Sequence, residues 1–193
     1  KGHTGKTEID RETGAGVRHL TLFPENGKVK SVRVDMGTPE LSPARIPVDH
    51  AGDRVVDMPF YLGADVFRIT CVSMGNPHAV MFVDDVDKID LEGIGKVLEC
   101  HPFFPQRTNV EFIQVIKPGE LRMRVWERGT GETMACGTGA CASLVAGVLN
   151  GKCERKAVLH LLGGDLQVEW GADHHVYMTG AAETVFEGEL YEL

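Results

Sequence analysis

Apolar and polar residues alternate with a period of two along much of this chain. Val32 and Val34 alternate with Arg33 and Asp35, and Leu121, Met123 and Val125 with Arg122 and Arg124, the spacing of strands with one face buried. Similar short runs fall at 19–23, 66–72, 79–83, 110–116, 157–162, 165–170, 176–179, 184–186 and 189–193. Pro24-Glu25-Asn26-Gly27 and Leu162-Gly163-Gly164-Asp165 sit between such runs and read as hairpin loops, so the sheet is expected to be mainly antiparallel. Helical pattern is confined to 91–99 and 138–149, the second stopped by Asn150-Gly151. The uncharged run 133–151 is broken by Gly137 and Gly139, and its helical part, with Cys141, Leu144, Val145, Val148 and Leu149, is apolar nearly all round. A helix of that kind belongs inside a protein core, not across a bilayer. The expected architecture is α+β: a curved, mainly antiparallel sheet wrapped around a central buried helix. No βαβ alternation supports a doubly wound fold. The proline-rich stretch 37–57 reads as a linker between two lobes.

Composition narrows the function classes. The chain has 193 residues, 20 Lys plus Arg against 28 Asp plus Glu, and a formal charge of −8, which argues against a nucleic-acid binder. At about 150 residues per domain the length suggests one and a third domains. Five cysteines, at 71, 100, 136, 141 and 153, contain no C-x-x-C pair. They fit neither a disulfide framework nor a zinc site, and free thiols in a reducing, cytoplasmic setting are expected. The N-terminal residues resemble neither a signal peptide nor an anchor, and the Gly-x-x-Gly-Lys fragment there lacks phosphate-loop spacing.

The most informative stretch runs from Trp126 to Ala142, where a glycine-rich turn links an alternating strand to the buried helix. The first N–H groups of that helix lack internal partners and carry the positive end of its dipole, so they suit a carboxylate or phosphate. Cys136 lies just before the helix start, where the same amides should depress a thiol pKa. Gly137 and Gly139 admit close approach of a ligand, and Thr138 is expected to cap the helix. The other four cysteines read as buried small hydrophobes. Asn76 and His78 flank Pro77 and are expected to point out of a loop toward a cleft, the alternative being a turn in which Asn bonds its own backbone. Arg107-Thr108-Asn109 precedes a strand. Glu127-Arg128 ends the strand leading to Cys136, where the alternative is a solvated edge.

Together these segments resemble diaminopimelate epimerase. The matching motifs are SMGNPHAV at 73–80, RTNVEFI at 107–113, ERGTGETMACGTGACA at 127–142 and LLGGDLQVEW at 161–170, with weaker similarity, including VDMGTPEL at 34–41, over nearly the whole chain. The resemblance implies an isomerase of lysine and cell-wall precursor synthesis that works without pyridoxal phosphate or any other cofactor, with no metal. In that family one thiolate removes the α-proton while a thiol on the opposite face delivers another, interconverting LL- and meso-diaminopimelate. Carried over, Cys136 would be one of the two catalytic cysteines. Asn76, Asn109, Glu127, Arg128, Gly137 and Thr138 would bind substrate, and His78 and Glu127 would adjust thiol pKa values. The physics agrees, because inversion needs proton-transfer groups on two faces and a helix N-terminus would stabilise enolate-like charge.

One departure is expected to matter. The family carries two pseudo-symmetric lobes, and no Cys-Gly-Asn motif for a second catalytic cysteine occurs in these residues. The chain is therefore read as a fragment. Residues 1–36 would be remnant strands of the N-terminal lobe, 37–181 the complete C-terminal lobe, and 182–193 a strand returning to the N-terminal lobe. The implied partners are diaminopimelate and the missing lobe, with a homodimer allowed and no nucleic acid or membrane. The isolated chain is expected to be inactive. The alternatives are a related proline-type racemase, a non-catalytic amino-acid-binding module and, last, a thiol-redox protein.

Overall fold

The computed structural model describes residues 5–14 and 16–189. Twelve strands form one sheet: β1 (Glu8–Thr13), β2 (Gly16–Glu25), β3 (Lys28–Asp35), β4 (Met58–Leu62), β5 (Asp65–Ser73), β6 (Pro77–Phe82), β7 (Asn109–Lys117), β8 (Glu120–Glu127), β9 (Gly131–Glu132), β10 (Lys156–Leu161), β11 (Gly164–Trp170) and β12 (Val176–Ala181). Two helices accompany them, α1 (Leu91–Glu99) and α2 (Gly137–Leu149), with a short 3-10 helix at Val86–Lys88.

The strand order is β1-β2-β3-β12-β11-β10-β8-β7-β6-β5-β4, and β9 pairs with β8. Two pairings are parallel, β6 with β7 and β10 with β8; the others are antiparallel. Both expected hairpins form. Asn26 and Gly27 take φ of 51° and 75° between Glu25 and Lys28, the left-handed pair that matches the twist of a two-residue hairpin.

Strand alternation sorts side chains onto two apolar faces. Val72, Val80, Ile113, Leu121, Met123, Val125, Leu159, Val168 and Val176 pack against Ala140–Ala146 of α2, so seven strands curve around one helix. This is the buried-helix α+β architecture that the pattern predicts. On the opposite face Ile69, Met81, Val110, Phe112 and Trp126 are covered by Leu91 and Leu98 of α1, and by Ile46, Val48 and Val55.

Several expectations are corrected. Strands β1, β4 and β9 carry no clear alternation: β1 (EIDRET) has one apolar residue and forms against β2, whereas β4 holds Pro59, which an outer strand tolerates. The stretch 37–57 is a packed strap rather than a free linker, because Ile46, Val48 and Val55 cover the second sheet face. No strand forms at 184–186, where Val185 and Phe186 are 89% and 84% exposed. The run expected at 189–193 lies, beyond residue 189, outside the described residues. No helix among the described residues is long and apolar enough to cross a membrane.

Candidate active site around Cys136

Strand β8 delivers the chain to the turn 127–136, and two contacts hold that turn. Asn109 Nδ2 donates to Pro77 O at 2.8 Å and its Oδ1 accepts from Arg128 N at 2.9 Å, which ties β6, β7 and the end of β8 together. On the other face Glu99 accepts from Trp126 Nε1 at 2.8 Å and from Gly129 N at 2.9 Å. The chain then enters α2 with Cys136 as its N-cap, Sγ accepting from Gly139 N at 3.3 Å. Thr138 was the expected cap. It sits inside the first turn instead, its hydroxyl 3.5 Å from the same sulfur, because the extended backbone at position 136 places the thiol over the open amides.

A polar run, buried at its Glu111 and His78 end and half-buried at Asn76 and Thr138, backs the thiol. Glu111 Oε1 lies 2.6 Å from His78 Nδ1, His78 Nε2 lies 3.0 Å from Asn76 Oδ1, and Asn76 Nδ2 donates to Thr138 Oγ1 at 3.3 Å. Parallel pairing of β6 and β7 sets His78 against Asn109 and Val80 against Glu111. Residues two apart share a sheet face, so all of these project toward α2. His78 is therefore fully buried in β6 and does not point out of a loop as expected. Glu127 is half-buried and accepts from the Thr133 hydroxyl at 2.5 Å, whereas Arg128 is exposed with Nη1 donating to Gln106 O at 3.0 Å.

The thiol pKa departs from expectation in sign. Burial, and next the Glu111 charge, push Cys136 up to about 11; hydrogen bonds from Thr138 and Gly139 oppose this, and Glu127 adds a further upward push. The helix amides act as foreseen, but desolvation outweighs them because Cys136 is only 6% exposed. Cys136 rests as a thiol at neutral pH. All five cysteines are unpaired; Cys71 and Cys141 are buried, Cys153 is half-buried, and Cys100 is exposed at the end of α1 rather than buried.

Sequence reading overlooked Glu111. The available signal was its place in Val110-Glu111-Phe112-Ile113, a strand apolar on both faces, where any charged side chain must be buried. Two surface cavities, about 350 and 410 Å³, lie away from the thiol, lined among others by Arg33, Glu169 and Tyr177 and by Phe82, Asp84 and Lys152. No group of metal-ligating side chains occurs among the described residues.

A thiol on a helix N-terminus beside Asn76, Thr138 and Glu127 suits proton transfer next to a carboxylate. Residues 70–185 match the family model described as diaminopimelate epimerase. The chain belongs to the diaminopimelate epimerase family. It is 55% identical over 188 residues to the diaminopimelate epimerase of Pelotomaculum thermopropionicum, covering 96% of this chain and 67% of that one. It is 56% identical over 184 residues to that of Moorella thermoacetica, covering 95% and 66%. The chain thus spans about two thirds of the length of these diaminopimelate epimerases. Among solved structures, a hydroxyproline epimerase from Agrobacterium vitis superposes with a TM-score of 0.65 at 17% identity, over 93% of this chain and 58% of that one. That likeness shows a fold shared between diaminopimelate epimerases and another epimerase.

Proposed function

We propose that this chain supplies one of the two thiols with which a cofactor-independent epimerase interconverts LL- and meso-diaminopimelate in lysine and cell-wall precursor synthesis. The observation that carries the reading is Cys136 as N-cap of the buried helix α2, within a chain more than half identical to named diaminopimelate epimerases. In this reading Cys136, resting protonated, delivers a proton to one face of the α-carbon. The opposite-face thiol comes from the remainder of the parent protein, whose N-terminal lobe 1–36 and 182–193 would complete, 37–181 being the C-terminal lobe. The first amides of α2 face the α-carboxylate and stabilise enolate-like charge in the transition state. Gly137 leaves room for that approach. Asn76, Asn109, Glu127 and Arg128 line the substrate site, where the exposed Arg128 guanidinium can take a distal carboxylate in a fork. Asn109 acts there by holding Arg128 in register. Glu127 and His78 bear on the thiol, Glu127 through its charge and His78 through Asn76 and Thr138.

The test is hydrogen exchange at the α-carbon. In deuterated water the full-length protein should exchange and invert diaminopimelate, leave proline untouched, and lose exchange in Cys136→Ala. The 193-residue chain alone should do neither reaction. Full exchange in the variant rejects the role of Cys136, and turnover of proline in place of diaminopimelate rejects the substrate.

A further inference from the structure

Glu111 is completely buried in β7, and the reaction proposed above gives it no task. Its Oε1 meets His78 Nδ1, while its Oε2 has no hydrogen-bond partner. A buried carboxylate oxygen left bare is costly and calls for a reason. The oxygen that meets His78 also faces the first turn of α2. A Cβ placed on Gly139 would stand 2.7 Å from Glu111 Oε1 and 3.2 Å from Cys136 Sγ, so the carboxylate and the sulfur are at most about 6 Å apart. Glycine leaves the space between them without a side chain. His78 Nε2 faces the carbonyl oxygen of Asn76 and so carries a proton, which leaves one more proton to be shared between Nδ1 and Oε1.

We infer that Glu111 is a positioning residue for Cys136: facing the sulfur across Gly139 while holding His78 from behind, it opposes ionisation of the thiol and sets the Asn76 and Thr138 contacts that reach the sulfur. Its catalytic meaning rests on the function proposed above, whereas the coupling of the two groups does not. The run of contacts has one direction. His78 donates to Asn76, Asn76 donates to Thr138, and the Thr138 hydroxyl is left to meet the sulfur. The other titratable groups on this side of the sheet are Glu127 at the end of β8 and Cys141 within α2, with the Arg18 charge from β2 reaching Cys141; Cys71 in β5 lies on the opposite face, where the Glu111 charge still bears on it. Burial, more than any of these charges, pushes Glu111 above the usual carboxylate range.

The experiment is alkylation of Cys136 in the 193-residue chain by iodoacetamide, followed by peptide mass spectrometry as a function of pH. Glu111→Gln should react about tenfold faster near pH 8, and its rate should level off at lower pH with the plateau unchanged. Glu111→Asp, which keeps the charge, should restore the native profile. An unchanged rate overturns the inference, as does a rate raised equally at every pH, which would report only a loosened site. Should Glu111→Gln not fold, the unaltered chain with isotope-labelled glutamate carboxyl carbons decides. One buried glutamate signal should inflect where the thiol titrates and lose that inflection in Cys136→Ser; a chain in which no such signal responds overturns the inference. Epimerase activity enters neither measurement, so failure of the proposed reaction and failure of the coupling are seen separately.

Discussion

Glu99 and Glu111 are buried carboxylates on opposite faces of the sheet, and they differ in how many donors reach them. On the α1 side Glu99 accepts from the Trp126 indole, the Gly129 amide and, at 3.4 Å, the Arg107 guanidinium. Burial alone would raise its pKa, but those donors and the Arg107 charge outweigh it and hold the carboxyl below its usual range. On the α2 side Glu111 has His78 alone, and burial wins in the upward direction. Burial pushes both groups upward; the donors around Glu99 reverse that push, whereas at the more deeply buried Glu111 the single contact to His78 does not. Glu99 fastens the turn that leads to the thiol, whereas Glu111 is left underbonded beside the thiol itself.

The largest test asks whether the two faces form one cooperative unit. Leu144→Ala on the α2 face should cost about 2–5 kcal/mol and Phe112→Ala on the α1 face about 3–5 kcal/mol in urea unfolding, since both side chains are fully buried. Loss confined to one variant, or two separate transitions, would break the unit. A middle-sized test separates the carboxylates. Glu99→Gln should destabilise by about 1–3 kcal/mol, because charge-assisted bonds to three donors are weakened. Glu111→Gln should change stability by less than about 1 kcal/mol in either direction, because the amide oxygen can still accept from His78 while a buried, underbonded carboxylate becomes an uncharged group. Equal losses would remove the distinction. The smallest test is pH. A lowered pKa gives Glu99 a stabilising contribution that is present above the ordinary carboxylate range and lost as pH falls through the lowered value. A raised pKa gives Glu111 one that is present at low pH and lost as pH rises through the raised value. Unfolding midpoints from about pH 3 to pH 8 should show Glu99→Gln blunting the acid-side loss and Glu111→Gln blunting the decline toward neutrality. Variant curves parallel to the native one count against both assignments.

Much of this was legible along the chain. Period-two alternation located most strands, and helix α1 falls on its expected span. The all-round apolar character of 140–149 announced a helix inside the sheet. Strands β1 and β4 were not legible, since β1 depends on β2 for its pairing and β4 is an outer strand holding Pro59. The turn before α2 pointed to Cys136 because glycines between a strand and an apolar helix mark open amides. Glu111 escaped notice because a carboxylate within a strand motif looks no different from a solvated one until both of its faces are known to be covered.

Local chemistry along the chain was enough for periodicity, hairpin turns, the buried helix and the position of the thiol, because each depends on near neighbours and on which residues avoid water. The sign of the thiol's pKa shift, the burial of His78 and the meeting of Glu111 with Cys136 across Gly139 depend on packing. They come from strands β6 and β7 pairing in parallel 31 positions apart, His78 beside Asn109, and from a helix laid over both. The balance between desolvation and helix amides has no value until that helix is covered, so it could be read only from the folded chain.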